Sequence, residues 1–126
     1  MISADTSVLV AYLQGKTCMQ TILLENSLIN DELLISPVVI SELLSDPKLT
    51  KKQIEIINSL PVLKIDKNFW SNAGTNRAKL ISKKLKARLA DSLIAQNCID
   101  NDIALITLDA DFRHFEKYCG LKIIKY

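Results

Sequence analysis

Residues 89–112, with the sequence LADSLIAQNCIDNDIALITLDADF, set two carboxylates among apolar residues and so restrict what the chain can fold into. Asp91 lies between Leu-Ala and Ser-Leu-Ile-Ala, and Asp109 follows the apolar run IALITL. An unpaired ionised carboxylate in a protein interior is very costly. We therefore expect both acids at the mouth of a site where cations or hydrogen-bond donors compensate them.

Short apolar segments alternate with helical patterns along the chain. We expect strands at 1–4, 33–36, 62–65, 103–107 and 121–124. Uniformly apolar strands are typical of a parallel sheet that helices cover on both faces. The 126 residues suit one core and are too few for two ordinary domains. The sequence thus predicts an α/β fold: a single domain over 1–126 with α/β/α layers and a central, mainly parallel sheet.

Capping and breaking residues set the limits of the predicted helices. Ser36 and Pro37 suit an N-cap and a first helical position, so a helix should begin there. The pattern over 68–85 suits a helix but is interrupted near Gly74, so we expect one broken helix or two, with the basic residues on its polar side. Further helices are expected at 6–13, 17–30, 50–60, 89–99 and 112–118.

The chain has no apolar run long enough to cross a membrane, and its start reads as a strand and not as a signal peptide. We therefore expect a soluble, cytoplasmic protein. Cys18, Cys98 and Cys119 are odd in number and form no CxxC motif, which favours buried thiols over a disulfide framework or a zinc site.

Four of the fourteen acidic residues lie where a solvated surface acid would not. They are Asp5, Glu42, Asp91 and Asp109. Asp5 and Asp109 close predicted strands, whereas Glu42 and Asp91 lie early in predicted helices between apolar neighbours. Most of the others have polar neighbours or fall at helix ends, and Asp66 suits a turn or cap. A lone Asp after a strand is often only an N-cap, but four such acids favour a shared site.

The carboxyl ends of parallel strands meet at one edge of a sheet, and ligands bind there. Four carboxylates at that edge would repel one another unless a cation compensated them. A ligand set made only of oxygen atoms suits Mg²⁺ or Mn²⁺ and not zinc. Divalent ions held by carboxylates commonly act on phosphate esters, where they activate water and stabilise the leaving oxygen.

Four motifs in order resemble those of PIN-domain ribonucleases: DTS at 5–7, SPVVISELL with Glu42, LADSLIA with Asp91, and ITLDADF with Asp109 and Asp111. The resemblance covers essentially the whole chain, and its size is most similar to the VapC-type toxins of toxin-antitoxin pairs. It implies a Mg²⁺- or Mn²⁺-dependent endoribonuclease with an RNA substrate, a cognate antitoxin and a homodimeric state.

The resemblance also implies roles for particular residues. Asp5, Glu42, Asp91 and Asp109 would be the metal-site acids and Asp111 a fifth ligand. Hydroxyls at Ser7 and Thr107 would support the site. The chain departs from the family before Asp91, where KKLKARLAD replaces the usual glycine and small residues, so the local loop and substrate groove should differ.

Residues 67–90 contain seven basic residues and no acidic one. Such a run is commonly a solvated helix face. It could instead follow an RNA backbone, which needs positive charge near an acidic site. The second interpretation is slightly favoured because the run leads into Asp91, and its candidate RNA-binding residues are Lys83, Lys84, Lys86 and Arg88.

Two other functions fit parts of the pattern. A receiver-like signalling domain also gathers acids at strand ends, but it needs an Asp closing a mid-chain strand and a Lys closing a late one. Here the mid-chain candidate is Asp66, and the late strand leads to Thr107 and Asp109 without a Lys. A catalytically inactive PIN fold could bind RNA or protein, although the full set of acids argues against it. His114, the single histidine, is too isolated to be assigned as a general base.

Overall fold

The computed structural model describes residues 1–125. Strands β1 (Ile2–Ala4) and β2 (Ala104–Ile106) pair in parallel, with Ser3 opposite Leu105. The predicted extent of the other three strands, at 33–36, 62–65 and 121–124, is wrong. These segments form only isolated parallel bridges, which pair Ile2 with Leu33, Ile35 with Val62, and Leu105 with Ile123. The segment at 33–36 is cut short because Ser36 already caps the following helix.

Seven helices occupy most of the rest of residues 1–125. Their bounds are α1 Thr6–Leu13, α2 Met19–Ile29, α3 Pro37–Leu44, α4 Lys51–Asn58, α5 Phe69–Ser82, α6 Leu89–Asp100 and α7 Phe112–Cys119. The caps follow from local chemistry: Ser36 accepts a hydrogen bond from the Val38 N–H with Pro37 next to it, and Thr50 forms a capping box with Gln53.

The prediction of an interruption near Gly74 is wrong, since α5 is continuous from Phe69 to Ser82. A helical glycine costs about 1 kcal/mol relative to alanine, and tertiary packing easily offsets this. Here Phe69, Ala73 and Leu80 are buried along one side of α5, which packs against α6.

The bridged segments and the two strands together give the sheet order 62, 33–35, β1, β2, 123, all parallel. When the five segments are numbered in chain order, their order across the sheet is 3-2-1-4-5. This is a doubly wound sheet in which the order of the strands reverses between β1 and β2, while their direction stays the same. Because parallel crossovers are right-handed, the connections on the two sides of that reversal cover opposite faces. The helix contacts agree in the main: α1 to α4 pack together and α5 to α7 pack together, while α3 also contacts α6. The predicted α/β/α layering is thus confirmed.

The core lies between these layers and is built from aromatic and aliphatic side chains. Phe69, Phe112 and Phe115 are fully buried, as are Leu105 and Ile106 of β2. All three cysteines are free thiols, of which Cys98 is buried and Cys18 and Cys119 are half-buried, so the expectation of buried thiols holds only for Cys98. Within residues 1–125, no helix is long and apolar enough to cross a membrane.

Candidate functional site

Asp5 follows β1 at the point where the sheet order reverses, and its side chain caps α1. Only 3% of its surface is exposed. Oδ1 accepts hydrogen bonds from Ser7 Oγ at 2.7 Å and from the Val8 N–H at 3.3 Å, and Oδ2 accepts one from Thr107 Oγ1 at 2.8 Å. Burial raises the pKa of Asp5 above its ordinary value, while the two hydroxyls oppose this.

The two supporting hydroxyls connect Asp5 to the loop after β2. Thr107 Oγ1 accepts a 2.9 Å hydrogen bond from the Asp109 N–H, and Ser7 Oγ accepts one of 3.1 Å from the Leu108 N–H. Each hydroxyl therefore donates to Asp5 and accepts from the loop. This arrangement fixes the backbone at Asp109 relative to Asp5, and the charge of Asp109 adds to the raised pKa of Asp5.

Glu42 reaches the site from the second turn of α3 and is half-buried. Its Oε1 accepts a hydrogen bond of 2.5 Å from Thr6 Oγ1, at the start of α1. Sequence reasoning missed Thr6, although it lies next to Asp5 in the DTS motif. This hydrogen bond joins α1 to α3, and its two residues lie 36 positions apart in the sequence. It orients Glu42 with respect to the Asp5 end of the site.

Asp91 lies in the first turn of α6 and is half-buried. Its Oδ2 is buried and has no hydrogen-bond partner. The pKa of Asp91 is raised to about 6, mainly by burial and also by the charges of Asp109, Glu42 and Asp5, while the charge of Arg88 opposes this rise. The four sequence-predicted acids therefore lie close enough to act on one another electrostatically. We call these four residues the acid site.

Asp111 lies beside the acid site and does not contribute to the raised pKa of Asp91 or Asp5. Its N–H donates a 2.9 Å hydrogen bond to Asp109 Oδ1. Its Oδ2 lies 3.3 Å from Lys86 Nζ in a salt bridge. A cation from this chain itself thus compensates the candidate fifth ligand.

Of the basic residues expected on a helix face, Arg77 and Lys79 lie on α5, whereas the four candidate RNA-binding residues lie in the connection between α5 and α6, residues 83–88, which we call the basic connection. The helix ends because Lys84 adopts a left-handed conformation with φ of 62°. Lys86 pairs with Asp111, Arg88 acts on Asp91, and Lys83 Nζ lies 4.7 Å from the centre of the Tyr118 ring. Lys84 is exposed and forms no salt bridge within residues 1–125.

Within residues 1–125, no three His, Cys, Asp or Glu side chains are arranged so that they could hold a metal ion as they stand. The acid site nevertheless fits a divalent cation in its chemistry. It offers only carboxylate oxygens, which Mg²⁺ and Mn²⁺ prefer, and Asp91 Oδ2 is a buried acceptor without a donor. A cation there would remove the repulsion that raises the pKa of Asp91.

The geometry agrees with a family comparison. Residues 2–118 match the family model described as PIN domain. The chain belongs to the PIN domain family. Membership rules out the receiver-like alternative, and Asp66 is accordingly a turn residue whose Oδ1 accepts a 3.3 Å hydrogen bond from the Asn68 N–H. A search of curated proteins found no match.

Solved structures share the fold of this PIN domain along nearly its full length. FitAcB from Neisseria gonorrhoeae superposes with a TM-score of 0.75 at 18% identity, covering 99% of this chain and 97% of that chain. VapBC2 from Rickettsia felis, bound to a DNA fragment from its promoter, gives 0.73 at 22% identity, covering 100% and 99%. VapBC-1 from nontypeable Haemophilus influenzae gives 0.75 at 18% identity, covering 99% and 98%.

Proposed function

We propose that this PIN domain is a Mg²⁺- or Mn²⁺-dependent endoribonuclease that hydrolyses RNA phosphodiester bonds at the acid site. The observation that carries the proposal is Asp91, whose Oδ2 is buried without a hydrogen-bond partner and whose pKa is raised by burial and by three other acids. Ionising a carboxyl group that is buried beside other acids costs free energy, unless a cation is its normal partner. Membership of the PIN family supports the same chemistry.

In this proposal, Asp5, Glu42, Asp91 and Asp109 hold the ion, and Asp111 is a further ligand when Lys86 releases it. The bound ion supplies positive charge that activates water and stabilises the developing charge on the leaving oxygen. The protein's own contribution is positioning. Ser7 and Thr107 keep both oxygens of Asp5 in place, and they tie the loop carrying Asp109 to the end of β1.

Two further hydrogen-bonding and charge relationships complete the positioning. Thr6 fixes the carboxylate of Glu42 by donating its hydroxyl hydrogen. Asp91 must lose its proton from a carboxyl of pKa about 6 before it can bind a cation, and Arg88 favours that loss. Cleavage at limiting metal concentration should therefore rise with pH through about 6.

We further propose that the protein is the toxin of a toxin-antitoxin pair, acting in the cytoplasm as a single-domain homodimer blocked by an antitoxin protein. The support is the shared fold with chains of VapBC complexes, which match it over their full length. A small gene adjacent to this one, whose product forms a stable complex with the protein, is expected. Light scattering should give a mass near twice 14.1 kDa.

The deciding experiment compares cleavage of total RNA by the wild type, Asp5→Asn and Asp91→Asn, with Mn²⁺ or with EDTA. We expect EDTA-sensitive cleavage by the wild type and loss of at least about 100-fold in both variants, with circular dichroism unchanged. Asp102→Asn is the matched control, because Asp102 is exposed and paired with Lys122 at 2.7 Å, at the other end of α6 from Asp91.

Each outcome bears on a different part of the proposal. Full activity in Asp91→Asn would refute the acid-site assignment. A folded wild type that binds RNA but never cleaves it would favour the inactive PIN module instead. Thermal unfolding gives a readout independent of turnover: Mn²⁺ at 100 times its Kd should stabilise the wild type by about 2.7 kcal/mol and leave Asp91→Asn nearly unchanged.

A further inference from the structure

A second concave feature adjoins the acid site. It is a pocket of about 330 Å³ lined by the loop after β2, by single residues of α2 and α7, and by residues 123–125. Thr107 and Asp109 belong to both, because each also takes part in the hydrogen bonds around Asp5. The remaining lining residues are Gln20, Leu108, Ala110, Arg113, Ile123, Ile124 and Lys125. Its volume falls at the lower end of the roughly 300 to 1,000 Å³ of small-ligand pockets.

Arg113 gives this pocket its charge. It is exposed in the first turn of α7, and within residues 1–125 it forms no salt bridge. Lys125, the other basic residue of the pocket, is already paired with Glu116 at 3.0 Å. The free guanidinium therefore offers planar, bidentate hydrogen bonding that suits a phosphate or the edge of a base.

The other walls supply what a base requires. Leu108, Ile123 and Ile124 form apolar surface, and the half-buried Gln20 on α2 carries both a donor and an acceptor. Single-stranded RNA is recognised mainly by unstacked bases that pack on side chains and hydrogen-bond through their edges. A nucleotide would use all three features at once, with its phosphate on the guanidinium, the face of its base on the apolar walls and the edge of its base on the Gln20 amide, so we take a nucleotide as the occupant.

We propose that this pocket, here termed the flanking pocket, binds the nucleotide next to the cleaved phosphodiester bond, and that Arg113 and Gln20 set the preference for its base. The inference rests on the proposed ribonuclease function, because the pocket shares Thr107 and Asp109 with the acid site. It adds a subsite and two specificity-determining residues that the acids alone do not imply.

Nucleotide binding tests the flanking pocket without any cleavage. Each of the four ribonucleoside 5′-monophosphates is titrated into ¹⁵N-labelled protein in EDTA, and amide shifts are followed by NMR. We expect at least one nucleotide to shift the Leu108, Ala110 and Ile123 amides, with a Kd at least about 10-fold weaker in Arg113→Ala and partly recovered in Arg113→Lys. Shifts that avoid these amides, or that Arg113→Ala leaves unchanged, would overturn the proposal. Stronger shifts from an acidic peptide than from any nucleotide would overturn it as well.

Cleavage kinetics then connect the pocket to the reaction. On short RNA substrates that vary only in the bases beside the cleavage site, Arg113→Ala should lower kcat/KM by about 10- to 100-fold, mostly through KM, and flatten the preference at one flanking position. Lys52→Ala, which removes an exposed charge on α4, should change neither.

The two levels of the proposal fail in different ways. If the wild type cleaves RNA and Arg113→Ala keeps the same base preference and KM, the flanking pocket is wrong and the ribonuclease function stands. If the wild type cleaves nothing but nucleotides still bind the pocket through Arg113, the ribonuclease function is wrong and the nucleotide site stands. Unchanged circular dichroism in Arg113→Ala ensures that misfolding does not produce either result.

Discussion

Thr107 donates a 2.8 Å hydrogen bond to Asp5 although the two residues lie 102 positions apart. The bond connects the ends of β1 and β2, where the sheet order reverses. The same hydroxyl accepts from the Asp109 N–H, so one side chain holds two members of the acid site.

Replacing Thr107 tests how far this bond supports Asp5. Thr107→Val keeps the shape but leaves the buried Asp5 Oδ2 without its donor, so the free energy of unfolding should fall by about 1.5 to 3 kcal/mol in urea. The pKa of Asp5, already raised by burial, should rise further in a ¹³C NMR titration. Thr107→Ser retains the hydroxyl and should stay close to the wild type on both measures. Equal stability of all three proteins would contradict a supporting role.

Asp91 should make stability depend on pH in the metal-free protein. Its pKa of about 6 in the folded state lies above the ordinary 3.8, so the folded protein loses stability as pH rises through about 6. Asp91→Asn lacks this loss. The variant should be more stable than the wild type above pH 6, and the two should converge below about pH 4.

The size of that difference is limited by solvent, because Asp91 is only half-buried. A pKa change of this size would correspond to roughly 3 kcal/mol in a fully buried group, and we expect on the order of 1 kcal/mol here. Urea unfolding in EDTA between pH 4 and 8 measures it. If Asp91→Asn were less stable than the wild type at pH 8, hydrogen-bond donors would be stabilising the ionised Asp91 carboxylate, and neighbouring acids would not be destabilising it.

The basic connection should influence RNA binding through Lys84, which is exposed and forms no salt bridge within residues 1–125. Lys84→Ala should weaken binding of single-stranded RNA to cleavage-deficient Asp5→Asn protein across all sequences. The slope of log Kobs against log salt concentration should fall in magnitude by about 0.7. Lys52→Ala on α4 is the control and should keep the slope. If both variants behave alike, the basic connection is an ordinary solvated surface.

Gly74 should be a site where alanine stabilises the protein. It is exposed within the continuous helix α5, and an added Cβ would meet no atom within 4 Å. Gly74→Ala should therefore raise the free energy of unfolding by about 0.5 to 1 kcal/mol. Gly120→Ala is the opposite case, because Gly120 ends α7 at φ of 85° and should lose stability when it gains a Cβ. Destabilisation by Gly74→Ala would indicate that α5 does break there.

The features that could be predicted from the sequence are those set by a few neighbouring residues. Ser36 and Pro37 begin α3 as their chemistry requires, and Asp5 caps α1 directly after β1. The order of strands and helices follows from hydrophobic patterning, and strand direction then brings Asp5 and Asp109 to one edge. Local chemistry and topology were therefore enough to propose the acids together.

The features that could not be predicted depend on pairs distant in sequence. No local pattern indicates that Thr6 holds Glu42, or that Lys86 pairs with Asp111. The extent of the outer strands depends on where neighbouring helices begin, so an apolar run at 33–36 looked like a strand and became a pair of bridges. The end of the basic run was predicted as helix because the left-handed conformation of Lys84 does not change the spacing of the hydrophobic residues.

The position of β1 beside β2 also determines when during synthesis the acid site can be complete. β1 leaves the ribosome first, but its parallel partner and Asp109 follow about a hundred residues later, and long-range parallel pairing is slow to form. Until then, Asp5 lacks Thr107 and the acid site lacks one of its members. A nascent chain therefore cannot assemble the complete acid site until β2 and the loop after it have been synthesised.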